Sequence, residues 1–362
     1  MNIIISIIVF SIVLFIYLHI YFQLKTSNDL EIYNIDTPSK DKFEEICDLK
    51  QPVLFNDLSL DNNFKKIISI DHLVKSYGNF DIKLINLNNI TNSNKNYNSE
   101  DDSPLYVPVK FSTSIELFTK DKESKYYTEN NSDFIEESCL TKYFRHNDGF
   151  LRPYTVSNCE YDIITGSKNL KTPLKYNITY RNYFIVIQGK IKVRLIPPKS
   201  QKYLYLINDY DNFNFYSPVN VWDPQDNYKC EFNKVKYLDI DVFPNNCLYI
   251  PPYWLYSILF DDNTLVCSFK YKTYMNTFSN IPKYFMKFLQ LQNVKHKLYK
   301  NVDTLSFIKD NSNNSNICQN SNIELNESKK GSTLLKNIEL DELSQSEIHR
   351  DINDINKDTI DL

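Results

Sequence analysis

The chain opens on an unbroken apolar run. Ile3 to Phe22 reads IIISIIVFSIVLFIYLHIYF, with no formally charged residue and His19 as its one titratable imidazole. At about 1.5 Å of rise per residue, a helix of this length spans the roughly 30 Å hydrocarbon core of a bilayer, which predicts a transmembrane anchor over residues 1–22. A cleaved signal peptide fits less well: the run is longer than a signal core, no basic segment precedes it and no A-x-A-like site follows. Lys25 on one flank is offset by Asp29 and Glu31, so charge does not fix the orientation.

Beyond a polar juxtamembrane linker, residues 23–42, the pattern changes. From Phe43 to Thr277 short apolar runs alternate with clusters of Asn, Asp, Pro and Ser, which predicts a mainly β domain of many short strands. An Asn-rich insert, Asn86 to Pro104, reads as an exposed loop. Over residues 278–300, Phe285, Phe288, Leu289, Gln292 and Leu298 recur at helical spacings, predicting a C-terminal helix that packs on the β core. Residues 301–362 carry 12 acidic against 6 basic side chains and little apolar surface, which predicts a disordered acidic tail.

Two segments carry sharper patterns. In the first, Tyr183 to Gln188 is apolar or aromatic up to its last residue, and Gly189 breaks the run. Lys190, Lys192 and Arg194 then alternate with Ile191, Val193 and Leu195 until Pro197-Pro198. This predicts two antiparallel strands joined at Gly189. In the second, a strand ending near Phe243 turns at Pro244-Asn245-Asn246, resumes through Ile250, stops at Pro251-Pro252 and restarts at Trp254, Leu255 and Tyr256.

Composition narrows the chemistry. A net charge of −4 leaves no basic footprint for phosphate backbones, so no nucleic-acid partner is expected. The 27 Tyr and 23 Phe against 5 Gly, with abundant Asn, Ile and Lys, follow AT-rich codon usage of the kind found in large DNA viruses and some protists. The 7 Cys form no CxxC pair and read as small buried hydrophobes. His19, His72, His146, His296 and His349 are scattered outside both segments, and His146 is the one considered as a replacement metal ligand.

The two segments resemble the cupin-like JmjC family of iron(II)- and 2-oxoglutarate-dependent oxygenases. Thr172-Pro173-Leu174-Lys175-Tyr176-Asn177, Asn182, Gly189-Lys190-Ile191, Pro197-Pro198 and Leu204-Tyr205 follow the family's first motif. Pro244 to Tyr256 follows its second motif, P-G-D-x-L-x-I-P-x-x-W-x-H, and Pro52-Val53-Leu54-Phe55 resembles a segment near the family's start. The resemblance implies a double-stranded β-helix, or jelly roll, over residues 43–277 with flanking helices.

It also implies where the chemistry has gone. Iron(II) in this family needs two imidazoles and a carboxylate around open coordination positions. The equivalent positions here are Lys175, Asn177 and Tyr256. An ammonium has no lone pair, an amide oxygen is neutral and a phenol is protonated at neutral pH, so no metal and no iron cofactor are expected. In place of the metal, the Lys175 ammonium is expected to hydrogen-bond Asn177 and Tyr256.

The family's cosubstrate lysine falls on Ile191, while Lys190 and Lys192 lie on the opposite strand face unless the register slips by one residue. Thr172, Asn182, Lys190 and Lys192 remain as residual candidates for a 2-oxoglutarate pocket. Three readings follow: a membrane-anchored pseudoenzyme that binds a protein partner through its pocket or tail, an active hydroxylase with unorthodox ligands, or a structural membrane protein of a virion.

Overall fold

The computed structural model describes residues 2–292 apart from 37, 59, 88–105 and 211. Nearly all of the Asn-rich insert, the far end of the C-terminal helix region and the acidic tail therefore lie outside the described residues.

The chain begins with helix α1 (Asn2–Leu24), strand β1 (Tyr33–Asp36), α2 (Lys40–Asp48), β2 (Val53–Asn56), α3 (Asn62–Ile67) and α4 (Ile70–Tyr77). It continues through β3 (Asp81–Asn86), β4 (Tyr106–Lys110), α5 (Phe111–Lys120), β5 (Tyr126–Thr128), α6 (Ser132–Glu137) and α7 (Thr141–Asn147). A run of strands follows: β6 (Val156–Gly166), β7 (Leu174–Tyr176), β8 (Arg181–Gln188), β9 (Ile191–Ile196), β10 (Ile207–Asp209) and β11 (Asn214–Ser217). After α8 (Asp226–Phe232) come β12 (Leu238–Val242), β13 (Cys247–Tyr249), β14 (Leu255–Phe260) and β15 (Leu265–Thr273). Helices α9 (Tyr274–Ser279) and α10 (Ile281–Gln292) close the described chain.

The strands form a nine-stranded sheet, β1-β2-β13-β8-β15-β6-β5-β3-β4, and a six-stranded sheet, β10-β11-β7-β14-β9-β12. The two ladders do not join among the described residues, so the domain is a two-sheet sandwich and not a closed barrel. Side-chain parity sorts the core. Phe184, Val186, Leu248 and Val266 of the large sheet face Val193, Leu195, Tyr256 and Ile258 of the small one. The intervening residues Tyr183, Ile185, Cys267 and Phe269 point outward under Phe43, Phe64, Phe134 and Phe144 of the helices. Burial on both faces is why Tyr183 to Ile187 is continuously apolar instead of alternating.

Three expectations change. The domain is mixed α and β, because apolar runs before residue 150 that read as strands are short helices: Ile70, Leu73, Val74 and Tyr77 recur at i, i+3, i+4 and i+7 and pack on the large sheet. The strands flanking Gly189 do not pair. β8 bonds to β13 and β15 in one sheet, and β9 bonds to β14 and β12 in the other. Gly189 is the corner between sheets, at φ +71°, and a Cβ there would lie 2.6 Å from the Thr264 hydroxyl. Finally, α10 docks through Lys283, whose Nζ lies 4.6 Å from the Tyr253 ring centroid, and Tyr284, stacked on Phe213. Its apolar residues Phe285, Phe288 and Leu289 face outward.

Among the described residues, α1 is the helix long and apolar enough to cross a membrane, over Ile3–Leu24, with mean hydropathy 2.9 and an 18-residue stretch of which no part is buried. This fits single-pass anchoring. The join to the domain is ordered. Tyr33–Asp36 of the polar linker pairs in parallel with β2, and the Lys50 ammonium caps the end of α1 by donating to the carbonyls of Phe22 and Gln23.

Candidate functional site

The site is built on β7, which lies between β11 and β14 with Lys175 in register with Tyr216 and Tyr256. Leu174 and Tyr176 point outward into an apolar cluster with Phe215 and Leu255. Alternation therefore turns Lys175 inward, between the sheets. The strand ends at Asn177, whose carbonyl accepts from the Tyr253 amide at 2.9 Å. The Asn177 amide Nδ2 donates to the Tyr256 hydroxyl at 3.1 Å, and the Lys175 Nζ lies 5.7 Å from the Tyr256 ring centroid. Lys175, Asn177 and Tyr256 thus converge from two neighbouring strands.

The Lys175 ammonium does not donate to Asn177 or Tyr256. It forms an ion pair with Glu129, and the two side chains are only 11% and 8% exposed. A buried ammonium requires an anion, and a carboxylate satisfies that need better than an amide or a phenol. Glu129 is delivered by the turn after β5. Asn130 sits in the left-handed region at φ 60°, and the amides of Asn130 and Asn131 both donate to the Asp162 carboxylate at 2.7 Å. Asp162 is buried, which raises its carboxyl above the usual range against the opposing pull of Lys270 and the two amides. On the same two strands as Lys270 and Asp162, Lys272 pairs with Glu160. Burial works against ionisation there, but the Lys272 ammonium holds the Glu160 carboxyl below its ordinary value.

This end of the sandwich therefore holds three lysines, Lys175, Lys270 and Lys272, interleaved with Glu129, Asp162 and Glu160. The sequence reading named Lys175 and its neighbours Asn177 and Tyr256, and passed over the acids, Lys270 and Lys272. Glu129 lies 46 residues before Lys175, and nothing in its local pattern marks it. The available signal was indirect, since a lysine turned into a core demands a carboxylate from elsewhere.

The remaining candidates have divided roles. Thr172 does not point its hydroxyl into open space. Its Oγ1 accepts from the Ile258 amide at 2.8 Å, and its carbonyl accepts from the Ser257 hydroxyl at 2.5 Å, which ties the approach to β7 onto β14. Asn182 is 1% exposed and faces inward, and neither its Nδ2 nor its Oδ1 has a partner. The hydroxyl of Ser268 and the indole N–H of Trp254 are likewise buried without partners. Lys190 and Lys192 stand on the outer face, 3.4 Å from Asp261 and 3.8 Å from Asp239, whereas Ile191 packs inward. His146 lines a surface cleft with Glu136, Cys139 and Arg145 on the helical layer, so it is no ligand for the site between the sheets.

The donor set does not fit iron. Lys175 is a cation already paired with Glu129, the Asn177 amide donates to the phenol, and burial pushes the Tyr256 hydroxyl above its ordinary pKa, with Glu129 adding to the rise and Lys270 opposing it. Among the described residues, no group of three or more His, Cys, Asp or Glu is placed to hold a metal ion.

Two facing sheets with this site between them define a cupin-like domain. Residues 39–278 match the family profile described as a cupin-like domain. This is more than half of the 362-residue chain, and the chain belongs to that family. A search of curated proteins finds no match.

Proposed function

We propose that this protein is a membrane-anchored pseudoenzyme, a cupin-like domain whose iron site has been replaced by an ion-paired interior and which serves as a binding module. The observation that carries this reading is the Lys175–Glu129 pair beside the Asn177–Tyr256 hydrogen bond. Together these fill the metal position with a cation and its counter-ion. The partnerless atoms of Asn182, Ser268 and Trp254 favour binding over a purely structural role, because buried polar groups left unpaired cost about 1–3 kcal/mol each and are relieved by a polar ligand. For an active hydroxylase with unorthodox ligands, the described residues supply no group of three or more His, Cys, Asp or Glu to hold the metal.

The test is metal analysis of the full chain purified anaerobically with added iron(II). No stoichiometric metal is expected. A control comes from Lys175→His, Asn177→Asp, Tyr256→His, which places two imidazoles and a carboxylate at one point and should bind cobalt(II) measurably more tightly than the parent. Near-equimolar iron in the parent, with turnover of 2-oxoglutarate, would overturn the reading.

A further inference from the structure

Helix α10 is docked the wrong way round for a soluble domain. At about 100° per residue, the stripe of Ile281, Phe285, Phe288 and Leu289 is centred roughly 140° away from the face of Lys283, Tyr284 and Lys287 that meets the domain. The stripe is left in the open, with Phe285 56% and Phe288 53% exposed. Helix α9, immediately before it, adds Tyr274 at 70% and Phe278 at 43%. Apolar surface of this extent on consecutive helices marks a contact.

What covers it follows from its neighbours. Helix α1 packs against α9, and Gln23 in its last turn is buried. The Lys50 cap fixes that end of α1 to the domain, and Leu49 beside it is 58% exposed. A helix that leaves the hydrocarbon core against α9 puts α9 and α10 at the level of the lipid headgroups. We infer that the outward apolar face of α9 and α10 is immersed in the headgroup and acyl boundary of the bilayer that α1 crosses. The inference rests on α1 being the anchor.

The consequence is an orientation. Strand β15 runs from Leu265, beside the Gly189 corner, to Thr273, where α9 begins. Its length is about 30 Å at about 3.3 Å per residue. The Asn276 amide Nδ2 of α9 donates to the Ile178 carbonyl, and the Tyr253 hydroxyl donates to Asn280. The Lys175 end of the sandwich therefore faces the membrane. The far end, where Phe243 follows the Val242–Ile191 pair, points away from it. Aromatic side chains at the interface and an apolar face parallel to it are what such a seat requires.

The experiment uses the full chain in phosphatidylcholine and phosphatidylglycerol vesicles, with and without brominated acyl chains. Phe288→Trp and Phe243→Trp each exchange an exposed ring for another, and the parent supplies the background from Trp222 and Trp254. Bromination is expected to remove most of the emission added by Phe288→Trp and to leave that of Phe243→Trp unchanged. Flotation of the parent separates the two claims. A chain that fails to float with the vesicles refutes the anchor and this inference with it. A chain that floats while Phe288→Trp stays unquenched refutes the inference alone. Emission from Phe288→Trp that responds to protein density and not to bromination would assign the face to a second copy, and also overturns it.

Discussion

Removing one member of the Lys175–Glu129 pair should cost far more than removing both. At an effective dielectric near 20 and about 3 Å separation the charges attract by roughly 5 kcal/mol, against a desolvation cost of several kcal/mol per ion. Both side chains are about nine-tenths buried, so the pair nearly balances and contributes little net stability. Glu129→Gln leaves the ammonium buried beside a neutral amide, and Lys175→Met leaves the carboxylate facing the Tyr256 ring. Each should destabilise by about 3–5 kcal/mol, the usual cost of an orphaned buried charge. For a domain of this size that lowers Tm by roughly 6–15 °C. The double variant Lys175→Met, Glu129→Leu should recover to within about 1 kcal/mol of the parent, since two apolar side chains of similar volume need no counter-ion. Denaturant unfolding of the full chain in detergent, run as a double-mutant cycle, reads the coupling directly. Single variants that lose less than about 1 kcal/mol, with additive effects, would show that the ammonium is solvated and the pair is not what fills the metal position.

Proton binding and backbone strain give two further expected outcomes. Burial lowers the Lys50 and Lys283 pKa values to about 8 from 10.5, so above about 8 these two groups hold more protons in the unfolded chain than in the fold and make stability rise with pH. From about 9 upward the sign turns, because burial holds first the thiols of Cys47, Cys247 and Cys267 and then the phenols of Tyr249 and Tyr256 protonated in the fold while the same groups ionise in the unfolded chain. Thermal unfolding should therefore peak between pH 8 and 10, and a monotonic fall from pH 8 would contradict the burial of both lysines. Gly189→Ala forces a side chain into the left-handed region against Thr264 and should cost about 1–3 kcal/mol in the same assay. An unchanged midpoint would mean that the corner relaxes freely.

Features that depend on near neighbours in the chain were legible in the amino-acid pattern. The span of α1 is an uninterrupted apolar run, which no tertiary contact is needed to define. Lys175 and Asn177 sit two apart around a strand end, and the parity that turns Ile191 inward and Lys190 and Lys192 outward is a property of the strand alone. The resemblance grouped Tyr256 with Lys175 and Asn177, and β7 and β14 pair at Lys175 and Tyr256.

Features set by distant partners emerge when the chain is folded. Whether the strands around Gly189 pair or part depends on which neighbours compete for their backbone groups, and β13, β14 and β15 win that competition from over 50 residues away. The short helices before residue 150 carry a period that few residues cannot distinguish from a strand. Helix α10 shows an apolar stripe that local pattern assigns to the core, yet aromatic residues of the small sheet already bury one another and accept Lys283 and Tyr284 instead. Glu129 completes the site for the same reason. The counter-ion of a buried charge is chosen by proximity in space, and the turn that brings it there is held by Asp162, on a different strand.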